Sequence, residues 1–420
     1  MKVDVLAIGS ELLYGDIVNG NAAWIGQRLS EIGVDVKHSA VVGDDILDIE
    51  KAIRDALSRA DALIITGGLG PTQDDLTREG LAAAAGVELI RDTAIEDELI
   101  ARFERLRRDV PEMNFRQADV PVGAWTIHNI KGTAPGLGME LLGGVVYCLP
   151  GVPHEMQPML VDSVLADLVS RQTDPAVVVH RIIRTAGMWE SAVAQAMAPE
   201  VERVQSVGNP EIAFLASGGM TRVKITARAR TREEALELIG PVEKFAADAL
   251  GEAIFGYDDD SIEKQVFDLL SKRGETVATA ESLTGGSLAA RLSEMPGSSA
   301  ILLGGIVAYS SELKEKLLGV DGMTLRLAGS VTADVATAMA AGARERCGAT
   351  YALGLTGVAG PEPWDGKPVG TVFVALAHPG GCEVRELRLP GDRERIRDYA
   401  GVAALDLLRR TVLAADSTGG

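Results

Sequence analysis

Residues 280–286 read Ala-Glu-Ser-Leu-Thr-Gly-Gly and put a hydroxyl nucleophile beside a glycine-rich turn. Ser282 follows an apolar run that reads as a strand, and Thr284, Gly285 and Gly286 open a helical pattern. Backbone N–H groups at such a helix start can receive a phosphate or an oxyanion. A serine nucleophile needs a base. The C-terminal segment offers one histidine, His378, in a strand-to-loop region, so a Ser-His-Asp arrangement is not expected. Lys314 can serve instead if burial lowers its pKa from ~10.4 toward ~7–8. It comes shortly after Tyr309, at the end of another apolar run. Residues at the C-terminal ends of parallel strands share one crevice, which would bring Ser282, Tyr309 and Lys314 together. The residues alone leave a second reading open, with Ser282 as a helix cap and Lys314 as a solvated lysine beside Glu312, Glu315 and Lys316.

Other stretches carry less specific chemistry. Residues 354–361, Gly-Leu-Thr-Gly-Val-Ala-Gly-Pro, form a turn after a strand, with Thr356, Gly357 and Gly360 able to hold a phosphate or simply to turn the chain. Arg393 and Arg397 sit one helical turn apart and could clamp a phosphate, or pair with Asp392 and Glu394. Thr332 reads as the N-cap of a long alanine-rich helix. Nearer the start, residues 66–77 run Thr-Gly-Gly-Leu-Gly-Pro-Thr-Gln-Asp-Asp-Leu-Thr. Gly67, Gly68 and Gly70 would let backbone approach a phosphate. Asp74 and Asp75 would suit a metal-bridged phosphate, or would cap the next helix. Glu11 follows the first strand at the same expected edge, and the runs 129–136 and 149–155 bring Lys131 and Glu155; singly, Lys131 reads as a surface lysine and Glu155 as a helix N-terminal residue.

The elements that must position these groups alternate. Strands are expected at 3–8, 34–42, 62–66 and 144–149, with helices at 22–32, 45–60 and 154–169. This rhythm predicts an α/β fold, a doubly wound sheet with ligands at the strand C-terminal ends. The segment 171–258 reads differently, with strands at 177–185 and 221–230 and helices at 190–197 and 232–250, as a small α+β domain. Tyr257 to Ser261 makes a polar boundary. A second α/β pattern follows: strands at 276–280, 301–309, 351–356 and 369–377, and helices at 261–272, 284–295, 311–318, 332–347 and 392–412. Three parts result, 1–170, 171–258 and 259–420.

Composition bounds the function. The 420 residues are 46% hydrophobic and 24% charged, ordinary for a globular protein. With 41 basic and 60 acidic residues the net charge is −19, which argues against a general nucleic-acid footprint. Three cysteines give no disulfide framework and no CxxC metal pattern. The first residues turn polar too soon for a signal peptide, and no apolar run reaches the ~20 residues that span a bilayer. A cytoplasmic protein without membrane or direct nucleic-acid partners is the expectation.

The runs AESLTGG, PGSSA, AYSSELKEKLLGV, GLTGVAGP, KPVGTVFVA and GDRERIR, in this order through residues 280–397, closely resemble the C-terminal domain of the CinA family. The resemblance implies a nicotinamide-nucleotide amidohydrolase that converts nicotinamide mononucleotide to nicotinate mononucleotide and ammonia without a cofactor. Ser282 would be the nucleophile, Lys314 its base and Tyr309 a neighbour. Leu283 departs from the family, which often has cysteine there, so thiol chemistry is excluded at that position. Gly329 to Thr332 replaces a GAVS-like run but keeps a hydroxyl. TGGLGPTQDDLT and LPGVPHEM resemble the N-terminal domain of the same family, which is similar to molybdopterin-binding domains. That half would hydrolyse ADP-ribose with a divalent metal, Mg²⁺ or similar, and K⁺ as a further candidate ion. Asp75 and Glu11 would serve the metal or phosphate, with Lys131 and Glu155 as secondary residues. A homodimer is also implied. Two other readings stay open: a non-catalytic nucleotide- or pterin-binding N-terminal module, and a competence-related interaction protein.

Overall fold

The computed structural model describes residues 1–105, 107–172 and 176–417. Strands β1 (Lys2–Ile8), β2 (Asp35–Val42), β3 (Ala62–Thr66), β6 (Trp125–Ile127), β7 (Gly136–Leu141) and β8 (Gly144–Leu149) form one sheet, in the order β2-β1-β3-β8-β7-β6. A separate pair is β4 (Leu89–Arg91) with β5 (Asp119–Pro121). Strands β2, β1, β3 and β8 run parallel, and β7 and β6 return antiparallel. Burial on both faces explains why β1, β3 and β8 are almost wholly apolar. The chain leaves β1 toward β2 on one side and later adds β3 on the other. This switch in direction opens a crevice at the C-terminal ends of β1 and β3. The expected helix over 154–169 is broken into Pro153–Met159, a wide π turn at Leu160–Val164 and Leu165–Ser170. Pro158 has no N–H to give the preceding turn.

The segment expected as α+β holds four strands rather than two: β9 (Val177–Ala186), β10 (Glu211–Ser217), β11 (Met220–Ala229) and β12 (Ile254–Tyr257), in the order β10-β11-β9-β12. Helices Glu190–Val207 and Arg232–Leu250 accompany them.

The last sheet contains β13 (Val277–Glu281), β14 (Leu302–Val307), β15 (Tyr351–Gly357), β16 (Thr371–His378) and β17 (Gly381–Arg388), ordered β14-β13-β15-β16-β17. Strands β14, β13 and β15 are parallel, and β16 and β17 antiparallel. Helix Ala333–Cys347 starts at the Thr332 cap and ends at left-handed Gly348. Its small residues pack flat on the sheet: a Cβ on Gly354 of β15 would lie 2.4 Å from the Ala336 carbonyl oxygen. The helix expected at 284–295 begins three residues later, at Ser287–Ser293. Gly285 and Gly286 have φ of 62° and 95°, left-handed values that keep the preceding turn out of the helix. By internal contacts the described chain forms two compact units, Met1–Val179 with Arg228–Leu236, and His180–Ala227 with the residues from Glu237 onward. Among the described residues no helix is long and apolar enough to cross a membrane.

Candidate active site

Strand β13 ends at Glu281, and the next residue, Ser282, still gives its N–H to the Leu355 carbonyl of β15 (3.0 Å). The serine is thereby held at the lip of the sheet. On the other side, Ala308 donates to the Glu281 carbonyl (2.8 Å), which carries the register of β14 past its end and delivers Tyr309 to the same lip. Ser310 then caps helix Ser311–Leu318, and Lys314 faces inward from its first turn. Its ammonium nitrogen lies 3.0 Å from Ser282 Oγ and 3.2 Å from the Tyr309 carbonyl oxygen.

Lys314 is 2% exposed and Ser282 8%. Burial pushes the lysine down from its ordinary 10.5 to about 8, against the opposing charge of Asp365. The blander reading of Lys314 as a solvated lysine is therefore overturned. Tyr309 contributes its carbonyl to the lysine, while its ring is exposed and its hydroxyl accepts from Arg393 Nη2 (2.7 Å). His378 is the last residue of β16, where its neighbour Ala377 pairs with Ala352 near the start of β15, away from Leu355 and Ser282.

The turn amides differ from expectation. Gly285 N–H donates to the Ser282 carbonyl and Gly286 N–H to Glu281 Oε2 (2.9 Å), so neither is free for an oxyanion. Among the described residues the N–H groups of Leu283 and Thr284 have no acceptor. Thr284 Oγ1 is likewise buried without a partner. Arg397 donates to the Thr284 carbonyl (2.9 Å), and Arg393 Nη1 to that of Gly360 (2.7 Å), which ties the final helix to both turns. Thr332 is engaged as a cap, accepting from Val335 N–H. Thr356 Oγ donates to the Ser330 carbonyl (2.7 Å), and a Cβ on Gly357 would meet the Thr371 carbonyl oxygen at 2.8 Å. Arg393, Arg397, Thr332 and Thr356 are thus each engaged within the fold.

In the N-terminal unit a cleft of about 650 Å³ opens at the ends of β1, β3 and β8. Glu11, Gly67, Gly68, Gly70, Asp74, Asp75 and Glu155 all line it; Lys131, exposed, does not. Gly67 is required by close approach, since a Cβ there would lie 2.2 Å from the Ile8 carbonyl oxygen. Asp75, expected to face a metal, accepts from the N–H and Oγ–H of Thr72 (2.8 and 2.5 Å). Glu155 accepts from Asn129 (2.7 Å). Among the described residues no three His, Cys, Asp or Glu side chains are arranged to hold a metal ion, and no lysine or arginine lines the cleft. A metal held by protein ligands alone does not fit these residues.

Three family descriptions match the chain in succession: a probable molybdopterin binding domain at 4–169, the KH domain of damage-inducible protein CinA at 180–256, and the CinA C-terminal domain at 259–412. A CinA-like protein of Frankia casuarinae is 59% identical over 98% of this chain and 96% of its own. The chain belongs to the CinA family. A second CinA-like protein, from Geobacter sulfurreducens, is 42% identical over 99% of this chain and all of its own. The crystal structure of CinA from Thermoplasma acidophilum is 38% identical, spanning 40% of this chain and 97% of that one, with a TM-score of 0.37. In this CinA chain two buried groups escaped the sequence reading. Glu281 lies within the AESLTGG run but looks like an ordinary polar residue. Arg78, one residue into helix Thr77–Ala85, holds the glycine turn from below by donating to the carbonyls of Leu69 and Gly70 (2.7 and 2.8 Å). An arginine leading an alanine-rich helix gives no sign of burial.

Proposed function

We propose that the C-terminal domain hydrolyses the carboxamide of nicotinamide mononucleotide through Ser282 and Lys314. The observation that carries this reading is the 3.0 Å contact between the buried Lys314 amine and the Ser282 hydroxyl, with the lysine lowered to about 8. A neutral lysine takes the Ser282 proton as Oγ attacks the amide carbon. The unengaged amides of Leu283 and Thr284 are the donors for the oxygen that becomes negative. The C–N bond then breaks, Lys314 returns its proton to the departing nitrogen, and ammonia leaves. A water, losing its proton to Lys314, attacks the acyl-serine; the C–O bond breaks and Ser282 Oγ takes the proton back. The sum is amide plus water to carboxylic acid plus ammonia, which part at neutral pH as carboxylate and ammonium, with no cofactor.

The test is ammonia release from nicotinamide mononucleotide by the wild type beside Ser282→Ala and Lys314→Ala. Both variants should melt as folded proteins and lose at least about 10³-fold in kcat. Retained turnover in either would overturn its role.

For the N-terminal domain the reading is a nucleotide site at the glycine-lined cleft, with ADP-ribose split to AMP and ribose 5-phosphate as its activity. The glycine turn and the surrounding backbone support binding. Hydrolysis rests on the family resemblance, since Asp75 and Glu155 are committed to Thr72 and Asn129. AMP release that depends on added Mg²⁺ supports the enzyme. A thermal shift by ADP-ribose without AMP supports a binding module. A homodimer in the cytoplasm, acting on small nucleotides and not on nucleic acid, completes the proposal.

A further inference from the structure

Glu281 ends β13 directly before the nucleophile and is 0% exposed. A carboxylate at that depth needs every lone pair answered. Its Oε2 accepts from the N–H groups of Gly286 and Leu288 (2.9 and 3.0 Å). Its Oε1 accepts from Ala289 N–H and Thr279 Oγ–H (2.8 and 3.0 Å). The side chain thus leaves the strand before Ser282 and takes hold of the chain on the far side of the turn. Residues 282–286 are looped between two points tied by one carboxylate. The Gly286 amide that might have faced a substrate is drawn inward, which leaves Leu283 and Thr284 as the unengaged donors.

We infer that Glu281 is a positioning residue of the amidase site: it clamps the 282–286 turn so that Ser282 Oγ meets Lys314 and the Leu283 and Thr284 amides stay available. This role rests on the amidase reading for its catalytic consequence, and on geometry alone for the clamp. Glutamine is the informative replacement because it keeps shape but not the acceptor set. Whichever way its amide turns, an NH₂ group faces donors, at least one of them a backbone N–H that cannot reverse. Aspartate is one methylene too short to reach the three amides.

Three readouts are taken on Glu281→Gln, well below its melting temperature. These are hydrogen exchange of amides 286, 288 and 289, the second-order rate of Ser282 modification by a fluorophosphonate probe, and the kcat and KM for nicotinamide mononucleotide. Exchange should accelerate at 286, 288 and 289 beyond the rest of the domain. Modification and kcat should fall about 10–100-fold, the cost of roughly 1 Å of misplacement, with KM within about threefold. A folded variant with wild-type modification rate and kcat, only less stable, overturns the inference. Where Glu281→Gln does not fold, Thr279→Val removes a single donor and should shift the same readouts in the same direction by less; no shift overturns it. If the wild type neither reacts with the probe nor releases ammonia while exchange still accelerates in the variant, the amidase reading falls and the clamp stands.

Discussion

In the proposed amidase, Lys314 would couple activity to pH through one buried amine. As base it must be neutral, so kcat/KM should climb about tenfold per pH unit below pH 8 and level above it. A flat profile from pH 6 to 9 would remove it as the base. The same group marks stability. In the unfolded chain the lysine titrates near its ordinary 10.5, in the folded chain near 8. Between these values the unfolded chain holds the extra proton, so stability should rise with pH across that window. Below pH 8 the penalty is constant, about 3 kcal/mol at 1.36 kcal/mol per pH unit. Lys314→Met should therefore melt higher than wild type at pH 7 while losing turnover. A lower melting temperature would mean that the hydrogen bonds to Ser282 and Tyr309 outweigh the cost of burying the charge.

At the scale of elements the site depends on how closely two helices approach. A Cβ on Gly342, inside helix Ala333–Cys347, would lie 1.9 Å from the Leu318 carbonyl oxygen, at the end of the helix that carries Lys314. Gly342→Ala should cost about 1–3 kcal/mol by overpacking. It should also lower kcat, because the lysine moves with its helix; a melt and an ammonia assay on one preparation check both. Such contacts also explain what could be read beforehand. Strands β1, β3 and β8 announce themselves because burial on both faces makes them almost continuous apolar runs, and β13 and β15 because they are short buried runs of small and apolar residues. Ser282 is legible because it follows the buried strand β13, and Lys314 because it lies early in the helix after the apolar residues of β14. Strand β17 is nearly all exposed and β12 is four residues long, so neither carries a pattern. Strand β10 is an edge with only partial alternation. The late start of helix Ser287–Ser293 was hidden because propensity does not reveal that Glu281 has taken its first amides. Arg78 and Glu281 share this difficulty: a buried charge is justified by partners distant in sequence, and the local pattern contains none of them.

Across the whole molecule the two candidate sites belong to separate compact units. Ser282→Ala should abolish ammonia release and leave ADP-ribose turnover within about twofold, as independent sites do. Asp75→Asn, which disturbs the Thr72 contacts at the cleft, should weaken ADP-ribose turnover and spare ammonia release. A loss of both activities from either change would show that the units are coupled. The net charge of −19 fits small-molecule chemistry in both halves better than contact with a polyanion. In the proposed amidase, Lys314 would be a base only while it is dry. A site that gapes and floods returns the amine toward its ordinary titration, protonates it near neutral pH and silences Ser282. Water would thus act as the safety catch of this nucleophile, released only when a ligand or the fold itself keeps solvent out.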